Sequence, residues 1–275
     1  MEDFGGRVVL VSGVARPPGI GRATALRLAR AGATVACADV VSEQVSDTAV
    51  VPAALFDQVV GEVRAAKGGG DVLPLPHDDA AGSWPGLVEA TVGAFGRIDI
   101  CCVLNGVTGP AAGDGVLADL TEDAWRRSLE LNLTGAWLLS RAAARAMITA
   151  GHGGCIVHLS SEASLVAKAG VGAVGPARAA VNHLVAVLAR ELGGFGIRCN
   201  AVAPLCVEPT DLFPNPGLIA LAERESGSFA EWVRAQIPLG RAQSADETAA
   251  VIAFLCSRDA SYVSGVTIPV CGGAA

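Results

Sequence analysis

The chain has 275 residues, 51% of them hydrophobic and 17% charged, which is enough apolar surface to bury a large core. A formal net charge of −7 argues against nucleic acid and anionic membrane surfaces as partners. Met1–Gly6 has no positive n-region, no apolar run is long enough to span a bilayer, and the eight cysteines form no C-x-x-C pair; together these predict a cytoplasmic protein with reduced, buried thiols.

Arg7–Ser12 reads as a first strand and Ile20–Ala31 as the helix after it. Thr34–Ala38 is a second strand, Asp71–Leu75 a weaker third and Ile98–Leu104 a strong fourth. Cys155–Ser160, Ile197–Val202 and Val266–Val270 follow as strands five to seven. Helical patterns lie between them at Ala53–Ala66, Pro85–Phe95, Thr121–Thr149, Pro176–Leu192 and Ala245–Ser257. This alternation predicts an α/β, doubly wound Rossmann fold in one domain over 1–275: a seven-stranded parallel sheet with helices on both faces. Its ligand crevice belongs at the carboxyl ends of the strands. Val41–Gly70 is longer than one connection needs and reads as an insertion. Cys206–Pro238, Pro-rich and then helical, sits where a lid over the crevice would lie.

Gly13, Gly19, Ile20 and Gly21 join the first strand to the first helix. Glycines there let backbone approach a pyrophosphate, and the helix N-terminus supplies N–H groups and the positive end of a dipole. Asp39 ends the second strand, where a carboxylate accepts from a ribose diol and repels a 2′-phosphate. NAD is therefore expected in preference to NADP, with Arg16 in the loop a weak signal the other way. Asp78, after the third strand, is placed either to reach adenine or to make a solvated turn. A metal site is not expected, because His152, His158 and His183 show no ligand spacing.

The order of these pieces resembles the short-chain dehydrogenase/reductase family along nearly the whole chain. The resemblance rests on the glycine loop, Phe95–Asp99, Leu131–Gly135, Ile156–Ser161, Gly196–Pro204 and the closing Val270–Gly273. The Val41–Gly70 insertion is similar to that of the carveol dehydrogenase-like branch. By resemblance the chemistry is hydride transfer between nicotinamide and an alcohol or ketone, with Ser161 polarising the oxygen and Asn132 holding a water relay. The family's Tyr falls on Val174, thirteen positions after Ser161, and its Lys on Arg178. Asn105, Gly106, Pro204 and Thr210 match cofactor-contacting segments, and Arg178 retains a charge for the ribose.

Valine has no proton to give, and arginine stays protonated. Pro176 is expected to start its helix, leaving Val174 before it. Three residues stand as substitute acids, each with a plainer reading: His158 as a core histidine, Glu162 as a surface or loop carboxylate, Lys168 as a solvated side chain. The expectation is an NAD(H)-binding member that is weakly active or a non-catalytic subunit. The alternative is an enzyme of altered chemistry, using a substitute acid or a non-redox elimination, isomerisation or cyclisation. The apolar lid suits a hydrophobic oxygenated substrate. Family members imply a homo-tetramer or dimer, or a hetero-oligomer with a catalytically intact subunit.

Overall fold

The computed structural model describes residues 3–16, 19–42, 50–66, 68–78, 82–109, 113–205, 207 and 216–275. Seven strands form one parallel sheet: β1 (Val8–Ser12), β2 (Thr34–Val40), β3 (Val72–His77), β4 (Ile100–Val103), β5 (Gly154–Leu159), β6 (Ile197–Pro204) and β7 (Thr267–Val270). Their order is β3-β2-β1-β4-β5-β6-β7. Between them run α1 (Ile20–Arg30), α2 (Ala53–Ala66), α3 (Ser83–Phe95), α4 (Glu122–Leu129), α5 (Gly135–Ala150), α6 (Val174–Leu192), α7 (Pro216–Ser226), α8 (Phe229–Gln236) and α9 (Ala245–Cys256).

Strand residues alternate between two cores, as a period of two demands. Val9 and Val11 face the layer that includes Leu28 and Ile252, whereas Leu10 faces the layer that includes Leu139 and Val185. Both faces are covered, which is why β1 is buried at every residue and reads as an uninterrupted apolar run. The edge strands β3 and β7 carry Pro74, Pro76 and Pro269, tolerated where one side of the ladder has no partner strand. The insertion is anchored by a bridge between Val41 and Val51 and by α2. Arg22 of α1 ties α2 down through Glu62, Nε to Oε2 2.6 Å. Gly68 and Gly70 end the insertion as glycines because a Cβ would stand 2.6 Å from the Arg30 carbonyl and 2.2 Å from that of Ala33.

Three expected boundaries are corrected. The stretch expected as one helix, Thr121–Thr149, is α4, a π-helical turn over Glu130–Thr134, and α5. Helix α6 begins at Val174, two residues before Pro176. A proline in the first turn sacrifices only a donor that has no intrahelical acceptor, and Gly175 presents no Cβ to the proline ring. Strand β2 runs on through Val40, so Asp39 lies within the strand and not after it.

Order around the sheet reverses between β1 and β4, which opens a crevice at the carboxyl ends of these strands. The packing behind that crevice sets its rigidity. Leu139 on α5 is fully buried against the sheet. Leu139→Ala should lower unfolding free energy by about 2–5 kcal/mol, read as a fall in the urea midpoint at constant m-value.

Candidate functional site

The crevice is a cavity of about 1040 Å³ that runs from the glycine loop to the segment preceding α6. At the glycine loop, Gly13 has φ +76 and its amide donates to the Ala38 carbonyl at 2.9 Å. A Cβ on Gly21 would stand 1.9 Å from the Gly13 carbonyl, so the loop folds onto the start of α1 only with glycine there. Gly19 caps α1 in an extended conformation with no side-chain cap. The first-turn N–H groups and the positive dipole end are thereby left for an anion.

Asp39 is buried beside this loop and lines the cavity. Its Oδ2 accepts from the Ala15 amide at 2.6 Å and its Oδ1 from the Val40 amide at 2.9 Å. Burial pushes its carboxyl up to about 6, against those two bonds and the charge of Arg16. Arg16 also donates to the Val50 carbonyl at 3.4 Å, tying the loop to the insertion. Glycines that admit backbone, an uncapped helix start and a carboxylate within one cavity fit the pyrophosphate and ribose of a dinucleotide.

The other end departs from that clarity. Val174 is 5% exposed and contributes methyl groups to the wall. One turn along α6, Arg178 is buried, with Nη1 donating to the Leu159 carbonyl at 2.6 Å and Nη2 to that of Asn105 at 3.4 Å. Burial lowers its guanidinium to about 10, so the charge persists at neutral pH. Ser161 lines the cavity and its Oγ accepts from the Ala163 amide at 3.3 Å. Asn132 sits in the π-turn, fully buried, with Oδ1 accepting from the Val107 amide at 3.0 Å. It stands behind the cavity wall formed by Gly106 and Val107, not in the wall itself.

Two residues with plainer expected roles belong to the cavity. Glu162 is 1% exposed, not a surface carboxylate. Lys168 approaches its Oε1 to 3.0 Å and is itself partly exposed. That contact has the length of an ion pair without hydrogen-bond alignment, since Oε1 accepts no hydrogen bond among the described residues. The reason is the short 3-10 turn Glu162–Ser164, which folds the chain inward directly after Ser161. His158 is a core residue: fully buried, its Nε2 is 3.0 Å from Ser140 Oγ. Burial, with the Arg178 charge nearby, pulls it down to about 3 and keeps it neutral.

Gly13, Gly19, Ile20, Gly21, Asn105, Gly106 and Pro204 all line the cavity with Asp39 and Arg178. Asp78 does not. It is exposed, and its carbonyl accepts from Ser83 Oγ at 2.7 Å, closing the turn into α3. Thr210 lies outside the described residues, as does Cys206 in the expected lid. The described part of that lid contributes Arg224, Glu225, Trp232 and Gln236 to the cavity.

Asp114, like Glu225, escaped sequence reasoning. Asp114 Oδ2 accepts from Thr108 Oγ at 2.6 Å and from the Gly109 amide at 2.5 Å. Its Oδ1 is buried without a hydrogen-bond partner among the described residues, and burial raises its carboxyl despite the two bonds. The glycines flanking it, Gly113 and Gly115, were the available signal for a tight turn.

Comparison with known proteins agrees with the geometry. A family described as Enoyl-(Acyl carrier protein) reductase matches residues 13–275. An uncharacterized NAD-dependent oxidoreductase of Mycobacterium tuberculosis is 36% identical over 98% of this chain and 96% of its own. A (3R)-3-hydroxyacyl-CoA dehydrogenase of Canis lupus familiaris is 31% identical over 93% of this chain and 92% of its own. Among solved structures, carveol dehydrogenase from Mycobacterium avium in complex with NAD superposes with a TM-score of 0.89 at 27% identity, covering 100% of this chain and 99% of that one.

The tightest local constraint joins Gly106 to Arg178. Gly106 has φ +153, and a Cβ there would stand 1.6 Å from Arg178 Nη2. Gly106→Ala should therefore cost about 1–3 kcal/mol. In a double-mutant cycle with Arg178→Ala, part of that cost should return as coupling energy. Strictly additive losses would mean that the two side chains do not meet.

Proposed function

The chain belongs to the short-chain dehydrogenase/reductase family, and on that footing we propose that it binds NAD(H) in this crevice but performs alcohol–ketone interconversion only slowly by itself. The observation that carries the reading is Val174, buried in the cavity wall at the position of the family's Tyr. A valine neither gives nor takes a proton. Loss of a general acid removes about 10²–10⁴ in rate, roughly 3–5 kcal/mol of barrier. Arg178, fixed on two carbonyls, holds charge but is a poor proton donor.

NAD supplies hydride chemistry when bound. Residues of this chain would hold it: Gly13, Gly19 and Gly21 with the start of α1 at the pyrophosphate, Asp39 at the ribose diol. A carboxylate at that place disfavours NADP. The mycobacterial relative is NAD-dependent and the carveol dehydrogenase was solved with NAD, which supports the same choice. A hetero-oligomer with an intact family member would supply the missing proton transfer. Exposed apolar residues on α5, α6 and near β7, Trp137, Val187 and Val266, suit such a contact.

Titration of the purified chain with NADH, followed by its fluorescence with NADPH as control, tests the binding. Tight NADH binding with little NADPH binding is expected; absence of both overturns the proposal. The pH dependence has a definite sign. Ribose hydroxyls donate to the charged form of Asp39, whose carboxyl titrates at about 6 in the free chain. NADH affinity should thus be constant above that pH and fall below it, by up to about tenfold per unit. Asp39→Asn should flatten the profile.

A second reading is favoured by one observation, the Glu162–Lys168 pair in the cavity directly after Ser161. Here the carboxylate serves as a substitute proton carrier. Glu162→Gln should then abolish residual turnover while NADH affinity stays within about twofold. Unchanged turnover excludes Glu162 from that role.

A further inference from the structure

The loop between Ser161 and α6 carries a charged pair into the cavity wall. Glu162, Lys168 and Val174 line the cavity with Ser161, and Lys168 Nζ lies 3.0 Å from Glu162 Oε1. The turn that holds Glu162 rests against the start of α6: a Cβ on Gly175 would stand 3.3 Å from the Ala163 carbonyl. Lys168 is thereby brought to the stretch of wall where Val174 has no proton to give. Glu162 is 1% exposed, whereas the Lys168 side chain is 29% exposed. Their contact is ionic and lacks hydrogen-bond alignment at Oε1. Among the described residues, the N–H bonds of the ammonium therefore stay open to a ligand.

Among the described residues, the other side-chain donors in this half of the cavity are engaged or too weak as acids. Thr108 Oγ1 donates to Asp114, and Trp232 Nε1 to Glu225. The amides of Asn105 and Gln236 and the guanidinium groups of Arg178 and Arg224 do not release a proton at neutral pH. Ser160 and Ser161 are alcohols, acids no stronger than the product of a ketone's reduction. Of the carboxyl groups, Asp114 is engaged as an acceptor at Oδ2, and Glu162 is the counter-ion of Lys168. An alkylammonium ion and a phenol, by contrast, are acids of nearly equal strength in water. An ammonium also places positive charge where an alkoxide develops.

We propose that Lys168, held beside Ser161 by Glu162, is the proton donor of this site and protonates the carbonyl oxygen of a bound ketone. This rests on the family reading above and names the carrier of its slow turnover; Glu162 then positions the ammonium and carries no proton itself. Reduction places a hydride from NADH on the carbonyl carbon and leaves NAD+. The π pair of the C=O bond takes the proton, the Nζ–H bond breaks, and the nitrogen keeps its electron pair. The free amine recovers a proton from water, which the partly exposed side chain reaches. Until it does, Glu162 is a buried carboxylate without its cation, an unfavourable state that drives the recovery. In the reverse direction the neutral amine takes the proton of an alcohol.

The test follows oxidation of NADH by the purified chain with cyclohexanone, 2-octanone and acetophenone as probes. Lys168→Ala should lower turnover about a hundredfold or more, and methylammonium in the buffer should restore part of it in a saturable way. Lys168→Arg keeps the charge without a transferable proton and should be as slow as Lys168→Ala. Glu162→Gln should cost about tenfold or less. A readout without turnover is the carbonyl stretch of cyclohexanone bound in the presence of NAD+, which should lie lower in the wild type than in Lys168→Ala. NADH affinity of each variant should stay within about twofold, and thermal melting confirms its fold. Wild-type turnover in Lys168→Arg, failure of methylammonium to restore Lys168→Ala, or an unchanged carbonyl stretch overturns the inference. So does absence of any turnover in the wild type, or a greater loss in Glu162→Gln than in Lys168→Ala. NADH binding with turnover independent of Lys168 would sink this inference and spare the functional reading; fast turnover that Lys168→Ala abolishes would do the reverse.

Discussion

The site is organised around one buried cation. Arg178 is covered by protein and has backbone carbonyls, not a carboxylate, as its hydrogen-bond partners. A guanidinium so placed must be held closely, because desolvation of a charge is tolerable only with its donors engaged. Its fork reaches across the ends of β4 and β5 and fastens α6 to both. Three consequences follow. Gly106 has no room for a side chain. His158, neutral first because it is buried, is pushed further the same way by the Arg178 charge. Ser160, bonded through Oγ to the Arg178 carbonyl at 3.3 Å, locks the same helical turn to the strand end. The start of α6, with Val174 in the cavity wall, is thus a rigid surface and not a loosened remnant.

The two halves of the cavity obey different rules. In the nucleotide half, backbone sterics decide: Gly21 meets the Gly13 carbonyl, and Asp39 is oriented by two amides. Such features change only with the whole loop. In the other half, side-chain chemistry decides. Val174 gives no proton there and Arg178 is tethered to two carbonyls, while Asp114 and Glu162 share the wall with donors that include Ser161, Thr108 and Arg224. Lys168 is paired with Glu162.

Much of the scaffold was legible in the residues. Continuous apolar runs such as Val8–Val11 follow from a sheet covered on both faces, so strands and their order of appearance could be read. The glycine loop and Asp39 were readable because their chemistry is local to one strand–helix junction. Other features were hidden because they depend on contacts distant in sequence. Glu162 looks like a loop carboxylate until the turn after Ser161 folds it inward. Asp114 becomes a cavity residue through hydrogen bonds of its neighbours to Gly170 and Ala173, nearly sixty residues away. The π-turn at Glu130–Thr134 leaves no mark in apolar periodicity, because one wider turn shifts the pattern by a fraction of a residue. Asp78 takes the second of the two readings left open for it, an exposed turn whose carbonyl accepts from Ser83.

Ser161 and Asn132 have physical roles that do not require chemistry. Asn132 Oδ1 accepts from the Val107 amide and so supports the loop that follows β4. Removing it would leave a buried amide unsatisfied, at about 1–3 kcal/mol. Ser161 Oγ accepts from the Ala163 amide and starts the turn that carries Glu162. Both side chains therefore have structural duties that stand whether or not a substrate is ever turned over. A side chain projecting from the start of α6 into open cavity has no such duty, since the helix is made by backbone and by the burial of Ala177 and Val181. Substitution at position 174 is cheap for the fold, while substitution at 132 or 161 is not. Ser161 and Asn132 are thus accounted for by stability, and evidence for chemistry must come from other groups in the cavity, Glu162 and Lys168 among them.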